Sequence, residues 1–122
     1  MMKAKELLSN TLKLLGYSDN DGNVELTSRI RNKAIVAVNL VYGDLWRAHG
    51  NGDFEPIKSL EDVIKLSSDV MNDIFLYGLA MHIARSENDG DQQQYFTQLY
   101  NARRAGMTQY TSVKNVIPHP EN

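Results

Sequence analysis

An all-α fold, a helical bundle of four main helices plus one short helix followed by an extended C-terminal tail, is what this chain predicts. Three observations carry that expectation. Apolar residues recur at three- and four-residue intervals through most of the first 106 residues, which is the period of one helix face. The segments between these stretches concentrate Gly, Asp, Asn and Pro. The run from Val70 to Met107 carries two consecutive amphipathic stretches, VMNDIFLYGLAMHIARS and DQQQYFTQLYNARRAGM, separated only by the polar turn ENDG.

The first helix is expected from Ala4 to Leu15, where Ala4, Leu7, Leu8, Leu12 and Leu15 line one face and Gly16 supplies the stop. The following YSDNDGN is rich in residues that bond their own backbone or accept positive φ, so it reads as a loop. A second helix starts between Asn23 and Thr27 and runs to Ala48. Its main stripe is Leu26, Ile30, Ala34, Ala37, Val38, Val41 and Leu45, with Ile35, Leu40, Tyr42 and Trp46 widening the apolar arc. An arc that broad implies partners on more than one side, and Ile35, Tyr42 and Trp46 are subunit-interface candidates.

GNGDFEP then breaks the pattern, because Gly50 and Gly52 weaken helix and Pro56 disfavours helical geometry at Glu55. In IKSLEDVIKLS, Ser59 and Asp62 have the spacing of a weak capping box and predict a short helix, with a small β-element at Ile57, Val63 and Ile64 as the lesser option. The third main helix is capped by Ser67 or Ser68, with Val70, Met71, Ile74, Phe75, Tyr77, Ala80, Met81 and Ala84 along it. Gly78 and Ala80 lack bulk and would let a neighbouring helix approach closely. Asp91 caps the fourth, whose stripe is the narrower Tyr95, Phe96, Leu99, Tyr100 and Ala102. Tyr95 joins the interface candidates.

Beyond Gly106, β-branched and aromatic residues mix with Pro118 and Pro120, so the helix is expected to stop. The division is a helical domain over residues 1–106 and an extended tail over 107–122, in which a short β-strand is an option. Tyr110, Val113, Val116 and Ile117 give the tail apolar side chains that either fold back onto the core or dock on a partner.

At 122 residues and a formal net charge of -2 the chain fits one domain, with no general attraction to nucleic acid or anionic membranes. It has no cysteine, which removes disulfides, thiol catalysis and thiolate metal sites. MMKAKELLSN is interrupted by Lys5 and Glu6 and lacks the features of an export signal, and no apolar run approaches the roughly 20 residues that span a bilayer. A soluble protein made in the cytoplasm is expected.

Candidate chemistry is sparse. DNDG at Asp19–Gly22 invites a calcium loop, but with Gly22 at its sixth position the first and twelfth positions fall on Tyr17 and Ser28, where acidic ligands belong. His82 has no His or carboxylate three or four residues away, and His49 and His119 stand in loop-like contexts. No nucleophile, base and orienting acid assemble locally. No catalytic residue, metal ligand or cofactor is therefore assigned, and an enzyme is not expected. Arg29, Arg31 and Lys33 form a basic run in which Arg29 and Lys33 share a helical face. A solvated face paired with nearby acids explains it more simply than a nucleic-acid surface, which stays as the alternative: a small helical nucleic-acid-binding regulator.

LKLLG (Leu12–Gly16), VNLVYGDLW (Val38–Trp46) and YGLAMHIARSENDGDQQQYFTQLYNARR (Tyr77–Arg104) together resemble the small helical head-to-tail connector proteins of tailed bacteriophages and prophages. The resemblance rests on packing residues: the Leu-Leu-Gly helix end, Asn39 and Trp46, the Leu79-Ala80 helix, and Phe96 and Tyr100 after an acidic turn. It implies a subunit that assembles as a homo-oligomeric ring under the portal protein, completes the head and receives the tail or other neck proteins. The C-terminal segment would then reach toward the portal. DNA would pass through the channel without specific binding, which suits a mildly acidic subunit. The location implied is the virion neck, after synthesis in the bacterial cytoplasm.

Overall fold

A computed structural model describes residues 2–17, 28–49 and 52–116, with side chains over 2–17, 30–48 and 52–106. These residues form an all-α bundle: α1 (Ala4–Leu14), α2 (Ser28–His49), α3 (residues 68–86) and α4 (Gly90–Val116). A two-residue antiparallel pair, β1 (Met2–Lys3) with β2 (Val63–Ile64), is the single sheet among the described residues.

Helix α1 buries Ala4, Leu7, Leu8, Leu12 and Leu15, the face that the spacing predicts. Thr11 is fully buried among them, and its hydroxyl donates to the Leu7 carbonyl at 2.8 Å, so no polar group is left unmet. The helix closes on Gly16 at φ +80°, with the Tyr17 amide donating to the Leu12 carbonyl and the Gly16 amide to that of Lys13. That left-handed residue is what a Schellman ending requires. At its start, no side chain caps α1; instead Ala4 and Lys5 donate to the carbonyls of Asp62 and Leu60, both at 2.9 Å.

The expected short helix at residues 57–67 does not form. Its place is taken by a turn and β2, the other option those residues carried. The local polar groups explain this. Asp62 Oδ2 accepts from the Lys58 and Ser59 amides, the Glu61 amide turns back to Ser59 Oγ, and the side-chain amide of Asn39 brackets Ile57, accepting from its N–H at 2.8 Å and donating to its carbonyl at 3.0 Å. The capping-box partners thus tie a turn. Ile57, Ile64 and Leu66 point into the core.

Helix α3 comprises an α-turn at Ser68–Val70, a π-helical turn at Met71–Phe75 and an α-helix at Leu76–Ser86. Ser67 is its cap, with Oγ accepting from the Val70 amide at 3.3 Å. Buried pairs fall at Val70–Met71, Ile74–Phe75, Leu79–Ala80 and Ile83–Ala84, and the middle step of five residues is one longer than its neighbours. The widened turn keeps both halves facing the core.

The turn into α4 passes through Asn88 at φ 58°. Its cap is Asp89, not Asp91: Asp89 Oδ1 accepts from the Gln92 amide. Asp89 Oδ2 also accepts from the Tyr17 hydroxyl at 3.2 Å and from the Gln92 side chain, which donates as well to the Leu15 carbonyl. One carboxylate therefore joins the end of α1 to the start of α4. Among its described side chains helix α4 buries Phe96 and Tyr100, and it runs through Gly106 to Val116, ten residues past the end the sequence predicts. A helical glycine costs only about 1 kcal/mol and a β-branched residue less, and the first proline after Gly106 is Pro118.

Tyr100 lies against Gly78 so closely that a Cβ there would stand 2.6 Å from the ring and 3.0 Å from Val41. Gly78→Ala should therefore destabilise the fold by about 1–3 kcal/mol despite better helix propensity. Urea denaturation reads this, and an unchanged or raised midpoint would contradict the close approach.

Candidate functional site

Among the described residues no group of three or more His, Asp or Glu side chains is placed to hold a metal ion. The run Asp19–Gly22, the side chain of His49 and His119 lie outside the described residues. His82 sits half-buried on α3; burial, and secondarily the charge of Arg85, lowers its pKa, so it is neutral at pH 7. A neutral imidazole beside aliphatic carbon is part of a surface to be covered, and the neighbouring residues have that character.

Val36 and Leu40 stand one turn apart on α2, on the side away from the core line of Ala34, Val38, Val41 and Leu45. They are 61% and 55% exposed. An open groove of about 390 Å³ runs between them and α3, bounded by Asn32, Lys33, Ala37, His82 and Ser86. Each such side chain left in water forgoes roughly 1.5–3 kcal/mol of burial, which a partner could recover. Leu40 was visible in the sequence as part of a broad apolar arc. Val36 was not, because it falls on the side away from the main stripe.

The interface candidates divide. Tyr42 is corrected: at 3% exposure it belongs to the core, with its ring against Phe54, Phe75 and Trp46 and its hydroxyl accepting from the Lys65 amide at 2.9 Å. Trp46 and Ile35 are half-buried, and the Trp46 indole N–H donates to the Gly52 carbonyl at 3.1 Å. Tyr95 is 58% exposed and rests edge-on against Phe96, whose ring stacks on Tyr77 under the Arg103 guanidinium. Tyr110, Val113 and Val116 lie on the helical backbone of α4 with side chains outside the described set, and Ile117 lies outside the described residues altogether.

The basic run is partly consumed within the fold. Lys33 Nζ donates to the Ser86 carbonyl at 3.3 Å and stands 3.9 Å from Glu87. The Arg29 side chain is outside the described residues, and Arg31 is exposed. The strongest polar cluster lies between α2 and α4. Asp44 Oδ2 accepts from Arg104 Nε at 2.6 Å and from the Tyr100 hydroxyl at 2.5 Å, and Oδ1 accepts from Arg104 at 2.9 Å. Burial pushes the Asp44 carboxyl up, but the hydrogen bonds from Arg104 and Tyr100 and the guanidinium charge outweigh it and leave the pKa below the ordinary value. Tyr100 is pushed well up, first by burial and then by Asp44.

No helix among the described residues is long and apolar enough to cross a membrane. The fold and its surfaces thus define a small all-α bundle with one clamped polar cluster and an uncovered aliphatic face. Comparison with protein-family models, curated proteins and solved structures finds no match for the chain.

Asp44→Asn should lower stability by about 1–2 kcal/mol at pH 7, the range for a charged hydrogen bond discounted for a pair about one-third exposed. Because folding depresses the Asp44 pKa, its contribution is present above the unfolded value near 3.8 and lost as pH falls through the folded one. Denaturation midpoints of wild type and variant should therefore converge as pH falls from neutral through the depressed folded-state pKa of Asp44; a gap that persists at the acid end would locate the effect elsewhere.

Proposed function

We propose that the chain is a structural subunit of a phage or prophage head-tail connector, assembling as a ring under the portal in the virion neck. The observation that carries the reading is the aliphatic face at Val36 and Leu40, a surface that costs free energy in water and suits contact with protein. Two further features support it. The motifs behind the resemblance are the ones that organise packing here: Gly16 ends α1, Asn39 brackets Ile57, and the α3–α4 pair closes on Tyr100. Helix α4 continues past Arg104 to Val116, with Asn101, Ala102, Arg103, Ala105 and Gly106 exposed, and its C-terminal part would be the arm that meets the portal.

A ring requires two different, complementary faces on each subunit, since heterologous contacts generate cyclic assemblies. The α2 face supplies one and the Tyr95 region of α4 a second. DNA would traverse the channel without a specific site, in keeping with the net charge of -2. The alternative of a nucleic-acid-binding regulator loses weight because Lys33 is tied to the end of α3.

Sedimentation of the chain alone and mixed with the portal ring of the same virus tests the proposal. Multimers or a portal-bound species are expected, and a monomer under both conditions would refute it. Val36→Asp with Leu40→Asp should keep the helical circular dichroism yet weaken association by about 100-fold, the equivalent of roughly 3 kcal/mol. A chain truncated after Gly106 should stay folded and lose portal attachment; unfolding on truncation would instead make residues 107–122 part of the core.

A further inference from the structure

A second cleft, also of about 390 Å³, opens where α2 ends and the chain returns through residues 53–65. Trp46 and Pro56 give it apolar walls, and Asp53, Glu55, Asp62 and Lys65 bring charge. The carboxylate of Asp62 is occupied by the Lys58 and Ser59 amides. Asp53 and Glu55 hold no ion pair among the described residues, so the cleft keeps an excess of negative charge beside an indole.

The opposite end of α2 has the opposite character. Its first turn contains no acidic residue and carries Arg29 and Arg31, and Arg31 is exposed without an ion pair among the described residues. A helix start favours anions, so Arg31 gains nothing from the dipole of its own helix. Arg31 and Trp46 are 15 positions apart on one helix, about 22 Å, too far for the two ends to neutralise each other within a subunit.

We infer that the cleft at Trp46, Asp53 and Glu55 receives Arg31 from a second copy of this chain, setting the start of α2 in one subunit against the end of α2 in the next. A guanidinium there meets two unspent carboxylates and an aromatic wall, the combination that binds arginine best. The contact is heterologous, so it propagates from copy to copy and closes where the rotation permits. It rests on the proposal that the chain assembles with itself, and it names the residues of one contact.

Complementation by charge reversal tests it. Arg31→Glu makes both ends negative; Asp53→Lys with Glu55→Lys makes both positive. Each variant, confirmed folded by circular dichroism, should associate at least about tenfold more weakly than wild type in sedimentation velocity at low salt, whereas an equimolar mixture should regain the wild-type multimer. Raising salt to about 0.5 M should weaken the wild-type contact. Variants that each assemble like wild type would overturn this contact and leave self-assembly standing, as would a mixture that fails to recover. A wild-type chain that is monomeric throughout would overturn both.

Discussion

The bundle depends on the wedge that Tyr100 drives between α2 and α3. Its ring occupies the space Gly78 leaves, touching the position where any larger side chain would have a Cβ, and its hydroxyl reaches through to Asp44. Arg104, one turn on, grips both oxygens of the same carboxylate. Three helices are thereby held at a point where apolar close packing and a satisfied polar cluster coincide, and neither would stand alone. A bulkier residue at position 78 displaces the ring; without the ring, Asp44 and Arg104 lose a partner in a half-buried site.

At the other end of the molecule the work passes from helices to side-chain hydrogen bonds. Asn39, Tyr42 and Asp62 meet the backbone groups of residues 57–65, so that segment packs Ile57, Ile64 and Leu66 inward without regular structure of its own. The strand pair and the carbonyls of Leu60 and Asp62 then hold the start of α1. Helices α3 and α4 pack on the inner side of α2, while Val36 and Leu40 stay exposed beside the groove that α2 forms with His82 and Ser86 of α3.

Helix existence and the core stripes were legible because a period of 3.6 residues repeats many times in each helix. Leu7, Leu8 and Leu12 face inward, as do Val38, Val41 and Leu45. What escaped depended on single long-range bonds. The segment at residues 57–67 has the capping residues of a helix, but Asp62 and Ser59 spend them on a turn and the bracket from Asn39, 18 positions away, fixes Ile57 in place. Tyr42 lies on an arc that reads as a second face until Phe54 arrives from the next loop to cover it. The π-turn leaves one trace, a five-residue step between buried pairs, which is too small a signal in one sequence. The length of α4 is not legible because Gly106 and several β-branched residues resemble stops, though none of them removes a backbone hydrogen bond as proline does.

A small bundle with an uncovered aliphatic face, opposite charges near the two ends of α2 and a last helix that continues past Gly106 is suited to repeated contact with copies of itself and to attachment at one end. The proposed connector subunit accounts for these three features together. Electron microscopy of the purified chain bound to the portal ring tests this most directly. The account predicts a closed annulus of added density, coaxial with the portal and surrounding an open channel. Isolated subunits scattered on the portal, or portal rings with no added density, would contradict it.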